Sequence, residues 1–225
     1  MSEALTAARA ARLRAFIAGA TATRAPPLTP ELLMRVADEI TPIWGMTEAA
    51  LEAEGLAPPF WAFPWAGGQA LARTVLDAPA RVAGRRVLAF ACGGGLEACA
   101  AARAGAAEVV ANDLDPAALE ACAMNAALNG ARVSALHGDL TQAPARGFDV
   151  ILAADVFYER AASLRILDWL RDAAAAGAEV LLADAARGFL PTAGLERVAA
   201  HVVPTPPALE DRAARCATVW RIPRD

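Results

Sequence analysis

From Arg86 onward, apolar and polar positions follow two alternating rhythms. Runs near 86–91, 108–112, 132–136, 149–154 and 178–183 read as strands. Between them, stretches near 95–104, 116–128 and 161–175 place apolar residues at helical spacing. Strands and helices alternating at this length predict a parallel sheet with right-handed crossovers. Asp115-Pro116 supplies an N-cap followed by a proline at the first helical position, which fixes the start of the second of these helices.

Outside that region the rhythm changes. Leu5, Leu13, Phe16 and Ile17 give residues 3–20 a helical spacing, and the prolines of Thr23–Pro30 end it. Thr29-Pro30 predicts a second helix running to about Ile40, and Thr47–Glu54 a third, stopped by Gly55. Residues 58–68 read Pro-Pro-Phe-Trp-Ala-Phe-Pro-Trp-Ala-Gly-Gly, too rich in proline and aromatics for a helix or an ordinary strand. A rigid extended segment is expected there, with a helix resuming over Gln69–Asp77. At the other end the pattern predicts a helix near Thr192–Ala200. Strands near His201–Val203 and Ala217–Ile222 would then form a terminal hairpin on the sheet edge. The expected organisation is one compact unit: a helical and aromatic-loop cap over 1–80, and a ligand-binding α/β domain over 81–225.

The chemistry concentrates at the ends of the predicted strands. The first runs into Gly93-Gly94-Gly95, where the absence of side chains lets backbone approach a ligand. The next ends in Asp113, about twenty residues on, where an acid can accept ribose hydroxyls. Strand, glycine loop, helix, strand and acid together form a unit that binds an adenosine-bearing cofactor at the carboxyl edge of a sheet. Asp115 is read only as a helix cap. Asp139 follows the third strand, where it either accepts an adenine amino group or is a plain loop aspartate. Asp155-Val-Phe-Tyr-Glu159 follows the fourth, beside the position where open sheets reverse strand order. Two carboxylates flanking Phe157 and Tyr158, the chain's one tyrosine, fit a pocket for a cationic amine with apolar walls. Phe60, Trp61, Phe63 and Trp65 are either core or a lid over the cofactor.

Composition narrows the classes. Net charge is −4 and the isoelectric point about 5.3, which disfavours a nucleic-acid backbone as partner. No apolar run reaches the roughly eighteen residues of a membrane span, and no membrane association is expected. Arg9, Arg12, Arg14 and Arg24 make the N-terminus arginine-rich; it is read as a solvated helix face. There is no lysine, so no Schiff base can form on this chain. Cys92, Cys99, Cys122 and Cys216 form no CxxC pair, and His137 and His201 lie far apart, so neither a zinc site nor a disulfide framework is expected. Cys92 reads as packing in the glycine turn. A reducing cytoplasmic setting and a monomer are expected.

These residues together resemble the class I S-adenosylmethionine-dependent methyltransferases. More narrowly, the chain is similar to the lysine methyltransferases of the electron transfer flavoprotein β subunit. Three stretches carry that likeness: Pro58 to Arg73; Asp155 to Glu159; and Leu195-Glu-Arg with Leu209-Glu-Asp-Arg and Thr218-Val-Trp-Arg221. The resemblance implies a Rossmann-like, seven-stranded, mostly parallel sheet with an antiparallel C-terminal hairpin and an N-terminal helical cap. It implies S-adenosylmethionine at Gly93, Gly94, Gly95, Asp113, Asp139 and Trp65. Asp155, Glu159, Tyr158 and Phe157 would form the catalytic pocket, with a protein lysine as acceptor. Three departures stand out. Ala89 and Ala91 stand where the family usually has aspartate and glycine, the aspartate helping to hold the methionine end. Glu97, where an apolar residue is usual, is a candidate substitute charge. Ala183–Arg187 replaces a Gly-Asp-Pro-Gly-Arg string. Two other functions use the same features: N-methylation of a small amine or nicotinamide-like pyridine, and a non-catalytic protein with a degenerate cofactor loop. Adenine methylation fits less well, because Asp155-Val-Phe-Tyr158 lacks the prolines of the Asp-Pro-Pro-Tyr type. A nicotinamide dehydrogenase would leave Asp155–Glu159 unexplained.

Overall fold

A computed structural model describes residues 3–38, 41–46, 48–53, 56–186, 188–205 and 213–224. Its main sheet has seven strands: β3 (Arg86–Phe90), β4 (Glu108–Asp113), β5 (Ser134–His137), β6 (Val150–Ala154), β7 (Glu179–Asp184), β8 (Glu196–Pro204) and β9 (Ala214–Ile222). They lie in the order β5-β4-β3-β6-β7-β9-β8. The first five are parallel, and β9 and β8 close the sheet as an antiparallel pair. Strand order reverses between β3 and β6, so their carboxyl ends open a crevice.

Both faces of the sheet are covered, which is why its central strands are apolar on both sides. One face packs on α3 (Ala66–Asp77), α4 (Leu96–Arg103) and α5 (Pro116–Leu128). The other packs on α6 (Arg160–Ala175), where Trp169 lies 4.9 Å from Phe90, ring to ring, and donates its indole N–H to the Ala143 carbonyl. The α4 interface is built from alanines with no solvent exposure, Ala98, Ala100 and Ala101, and such small side chains let it lie close to its neighbours. Asp115 caps α5 by accepting the Ala117 N–H, as its position before Pro116 predicts.

The N-terminal part comprises α1 (Glu3–Ala20), a two-stranded ribbon of β1 (Ala22–Arg24) and β2 (Met34–Val36), and α2 (Glu48–Ala53). Ile17, Ile43, Leu51, Leu56 and Trp61 pack here on Ala117, Ala118 and Ala121 of α5. Two asparagines one turn apart, Asn125 on α5 and Asn129 at its C-cap, fasten the ribbon: Asn125 accepts the Arg35 N–H, and Asn129 exchanges hydrogen bonds with both backbone groups of Leu33. Asn125 also donates to the Gly94 carbonyl, tying ribbon, helix and glycine loop together. Helix α3, on the N-terminal side of residue 80, is a layer of the main sheet rather than of this cap.

Three expectations need correction. Residues 29–38 do not continue as a helix; Met34–Val36 pairs with β1 as a strand. The backbone of this segment bonds instead to the side chains of Asn125 on α5 and Asn129 at its C-cap, and the Thr29 hydroxyl, expected as a cap, is buried with no hydrogen-bond partner among the described residues. Glu39 and Ile40 lie outside the described residues, as do Glu54 and the expected stop at Gly55. The predicted helix near 192–200 is the first half of β8, which pairs with β9 from Glu196 to Pro204 across a bulge at Arg197/Ala199. Alanine there favours helix locally, but the partner strand outweighs that weak preference. The aromatic segment is not wholly extended: Phe60–Ala62 forms a 3-10 turn, and α3 begins at Ala66, not Gln69. The Leu209–Arg212 stretch lies outside the described residues.

Candidate active site

A cleft opens where β3 and β6 diverge. Its floor is Ala91–Gly94, Glu97, Ala154 and Asp155; its walls are Met34–Val36 and the aromatic segment Phe60–Trp65. The glycine loop is positioned from two sides. Gly93 has φ +50° and donates its N–H to Asp113 at 2.9 Å. A Cβ on Gly94 would lie 2.7 Å from the Trp61 carbonyl, so only glycine fits. Ala91, at φ +48°, adopts a backbone that glycine would take freely, a strain of about 1 kcal/mol.

Asp155 follows β6 with φ +54°, a region that aspartate and asparagine tolerate best among side-chain-bearing residues. Its carboxylate accepts the Gly68 N–H at 2.8 Å, in the first turn of α3. It thereby caps a helix whose own N-cap residue, Trp65, has no side-chain acceptor to offer. A Cβ on Gly67 would meet this carboxylate at 2.6 Å, which explains the glycine pair Gly67-Gly68. Across the same pair sits Glu97: a Cβ on Gly68 would lie 2.9 Å from its Oε1. Burial raises the Glu97 carboxyl from the ordinary 4.5 to about 7, against its own backbone hydrogen bond, and Asp155 pushes it the same way. The Cys92 thiol, held up by a hydrogen bond with Cys122 and by burial, is not a nucleophile.

Of the residues singled out in the sequence, Gly93, Gly94, Trp65 and Asp155 line the cleft, and Asp113 grips its rim through Gly93. Gly95 turns away from it toward Cys122 on α5. Asp139 caps a short turn, accepting from Thr141 and Gln142, contacts that hold its carboxyl below the usual range. Tyr158 is mostly exposed at the mouth, its ring 5.9 Å from Phe60, with the hydroxyl pKa raised by partial burial and then by Asp113 and Glu159. Glu159 is exposed at the N-terminus of α6. Phe157 does not wall the cleft: it is fully buried with Leu88, Ile151 and Leu167 on the α6 face of the sheet. After β6 both Val156 and Phe157 turn inward into the same cluster, and only Tyr158 turns outward. The contribution of Met34–Val36 to the wall had no signal in the sequence, because it depends on the ribbon docking onto α5.

Residues 87–177 match the family model described as a methyltransferase domain. An electron transfer flavoprotein beta subunit lysine methyltransferase of Danio rerio is 36% identical over 86% of this chain and 76% of its own length. One from Xenopus laevis is 37% identical over 77% of this chain and 70% of its own. The chain belongs to the electron transfer flavoprotein beta subunit lysine methyltransferase family. Among solved structures, a ribosomal protein L11 methylase from Lactobacillus delbrueckii subsp. bulgaricus superposes with a TM-score of 0.50 at 20% identity, covering 71% of this chain and 79% of that one. At that identity the likeness shows a shared fold alone. The cleft of this lysine methyltransferase family member therefore lies where open parallel sheets bind ligands, between β3 and β6.

Glu97 also sets a stability prediction for the ligand-free protein. A carboxyl raised to about 7 when folded holds its proton longer than in the unfolded chain, so folding favours low pH. Stability from this group is full below about pH 4.5 and is lost as pH rises toward about 7, by up to roughly 3 kcal/mol. Urea unfolding should therefore show Glu97→Gln close to wild type at pH 5 and more stable at pH 8. Parallel pH profiles for the two proteins would contradict it.

Proposed function

We propose that this chain moves a methyl group from S-adenosylmethionine to a lysine side chain of the electron transfer flavoprotein β subunit. The observation that carries the reading is Asp155 on the floor of the cleft beside Gly93 and Gly94, in a chain related to such enzymes along most of its length.

The cleft fits the cofactor. Gly93 and Gly94 bring bare backbone to the floor of the cleft, Gly94 packed close under the Trp61 carbonyl, and Asp113 sits beside them as a ribose acceptor. Glu97 offers a buried carboxyl to a cation. When bound, S-adenosylmethionine supplies a methyl group already activated on a sulfonium. The protein's work is then mostly positioning. Asp155 holds the incoming amine by a charge-assisted hydrogen bond and draws off a proton, because an ammonium has no lone pair to donate. Phe60, Trp65 and Tyr158 enclose the lysine stem at the mouth and shed water from it. Glu159 adds negative charge at the rim, drawing in a cationic side chain. No metal takes part in this scheme. The four cysteines are free, in keeping with a reducing compartment.

The test is intact-mass analysis of purified flavoprotein β subunit incubated with this protein and S-adenosylmethionine. Methyl increments mapping to lysine are expected. An unmodified β subunit, alongside methylation of a small amine from a metabolite extract, would move the assignment to a small-molecule N-methyltransferase.

A further inference from the structure

Glu97 is a carboxylate without an evident structural job. It is 9% exposed, lines the cleft, and meets no side-chain donor or cation among the described residues; its hydrogen bond is to its own backbone. Buried charges ordinarily sit with a partner. Among the described residues the charge acting on it is another carboxylate, Asp155, and the glycine pair of α3 brings only backbone up to both. A site that holds two acids and excludes side chains from between them is complementary to a cation that arrives from outside.

Which cation follows from the layout of the sheet. Asp113, on the β4 side of the glycine loop, is placed for the ribose. A ligand anchored there and crossing the loop toward β6 presents its far end to Glu97 and Asp155. In S-adenosylmethionine that far end is an amino acid bearing an α-ammonium. The acceptor lysine, by contrast, must enter through the mouth, where Phe60 and Tyr158 lie. We infer that Glu97 binds the α-ammonium of the cofactor's amino-acid end and so fixes the methyl donor over the glycine loop. The inference rests on the proposed use of S-adenosylmethionine and adds to it a residue that anchors that cofactor. Ala89, buried on β3 beneath the loop, leaves that position of the strand without an acid to share the task.

A pH signature accompanies the assignment. The groups facing Glu97 are Asp155 after β6, Cys92 in the loop and Cys99 on α4. Arg35 lies on the opposite wall, its guanidinium bonded to the Ala18 carbonyl. Neither thiol ionises near neutrality, since burial and their neighbours push both up. Affinity should climb as Glu97 ionises near pH 7 and decline above about pH 8, where an α-amine gives up its proton. In Glu97→Gln the acid limb should vanish.

The experiment is calorimetric titration of wild type and Glu97→Gln with three ligands. S-adenosylmethionine and S-adenosylhomocysteine both carry the α-ammonium; 5′-methylthioadenosine lacks the whole amino-acid end. Expected is a loss of about 10- to 100-fold for the first two, as for a charge-assisted hydrogen bond in a buried site, and no more than about twofold for the third. Unchanged 5′-methylthioadenosine binding also shows that the variant is folded. Equal affinity of wild type and variant for S-adenosylmethionine would overturn the inference while leaving the cofactor reading intact. Weakening for S-adenosylmethionine but not S-adenosylhomocysteine would also overturn it, by assigning Glu97 to the sulfonium. Unchanged cofactor affinity with a raised KM for the protein acceptor would overturn it in favour of the lysine. Wild type that binds no S-adenosylmethionine at all would remove the cofactor reading itself.

Discussion

Asp155→Asn should cut methyl transfer by about 100-fold or more while leaving the protein folded. The amide oxygen of the variant could still accept the Gly68 N–H, and asparagine tolerates the positive φ of this position, so the first turn of α3 stays capped. What the substitution removes is the negative charge that positions the amine and takes its proton, and misplacement of a reacting group alone can cost that factor. Asp155→Ala should lose the same activity and also stability. The lost cap costs about 1 kcal/mol, and alanine in left-handed backbone about 1 more. The pair therefore separates chemistry from architecture. Initial rates on the flavoprotein β subunit, beside urea midpoints for both variants, make the check. Wild-type turnover by Asp155→Asn would end the catalytic assignment and leave Asp155 as a helix cap.

Gly95→Ala should have the largest effect on folding. Gly95 opens α4 at φ +80°, and a Cβ there would lie 2.3 Å from the Cys122 sulfur and 2.9 Å from its Cβ. Both partners are held: Cys122 is in the middle of α5, and the Gly95 carbonyl accepts the Cys99 N–H that starts α4. Two helices must separate to make room. Overpacking and left-handed strain together cost roughly 3 kcal/mol. Adding Cys122→Ala removes the sulfur but not the Cβ or the strain, so it should restore only part of that loss. Denaturant midpoints of the single and double variants test this, and a Gly95→Ala protein within about 1 kcal/mol of wild type would refute the packing argument. The third glycine thus serves the join between α4 and α5, while Gly93 and Gly94 serve the cleft.

Much of this was legible in the chain because its causes are local or periodic. Four of the five parallel strands and the helices between them follow from apolar runs that must be covered on both faces, while the edge strand β5 is exposed along its length. Asp115-Pro116 fixes the start of α5 through groups two residues apart. The glycine loop and Asp113 are about twenty residues apart in sequence, yet their neighbourhood is dictated by the strand–helix–strand unit itself. Asp155 was marked by standing at the end of a strand beside the reversal in strand order.

Other features depended on partners remote in sequence, and only the tertiary structure decided them. Residues 196–200 are locally suited to a helix, but β9 supplies the ladder that makes them a strand. Met34–Val36 became a cleft wall because Asn125 and Asn129, some ninety residues away, take the hydrogen bonds of that segment. Phe157 and Tyr158 are adjacent and aromatic, yet one packs with Val156 on the α6 side of the sheet and the other meets solvent beside Phe60, a division set by what each finds to pack against. Glu97 was visible in the sequence only as an acid in an unusual place. Its burial, and its position across Gly67-Gly68 from Asp155, arise where α3, α4 and the end of β6 converge. The sequence alone determined the alternation of strands and helices from β3 to β7 and the glycine loop at its first turn. The charges that face one another across the cleft were decided by packing between elements far apart in the chain.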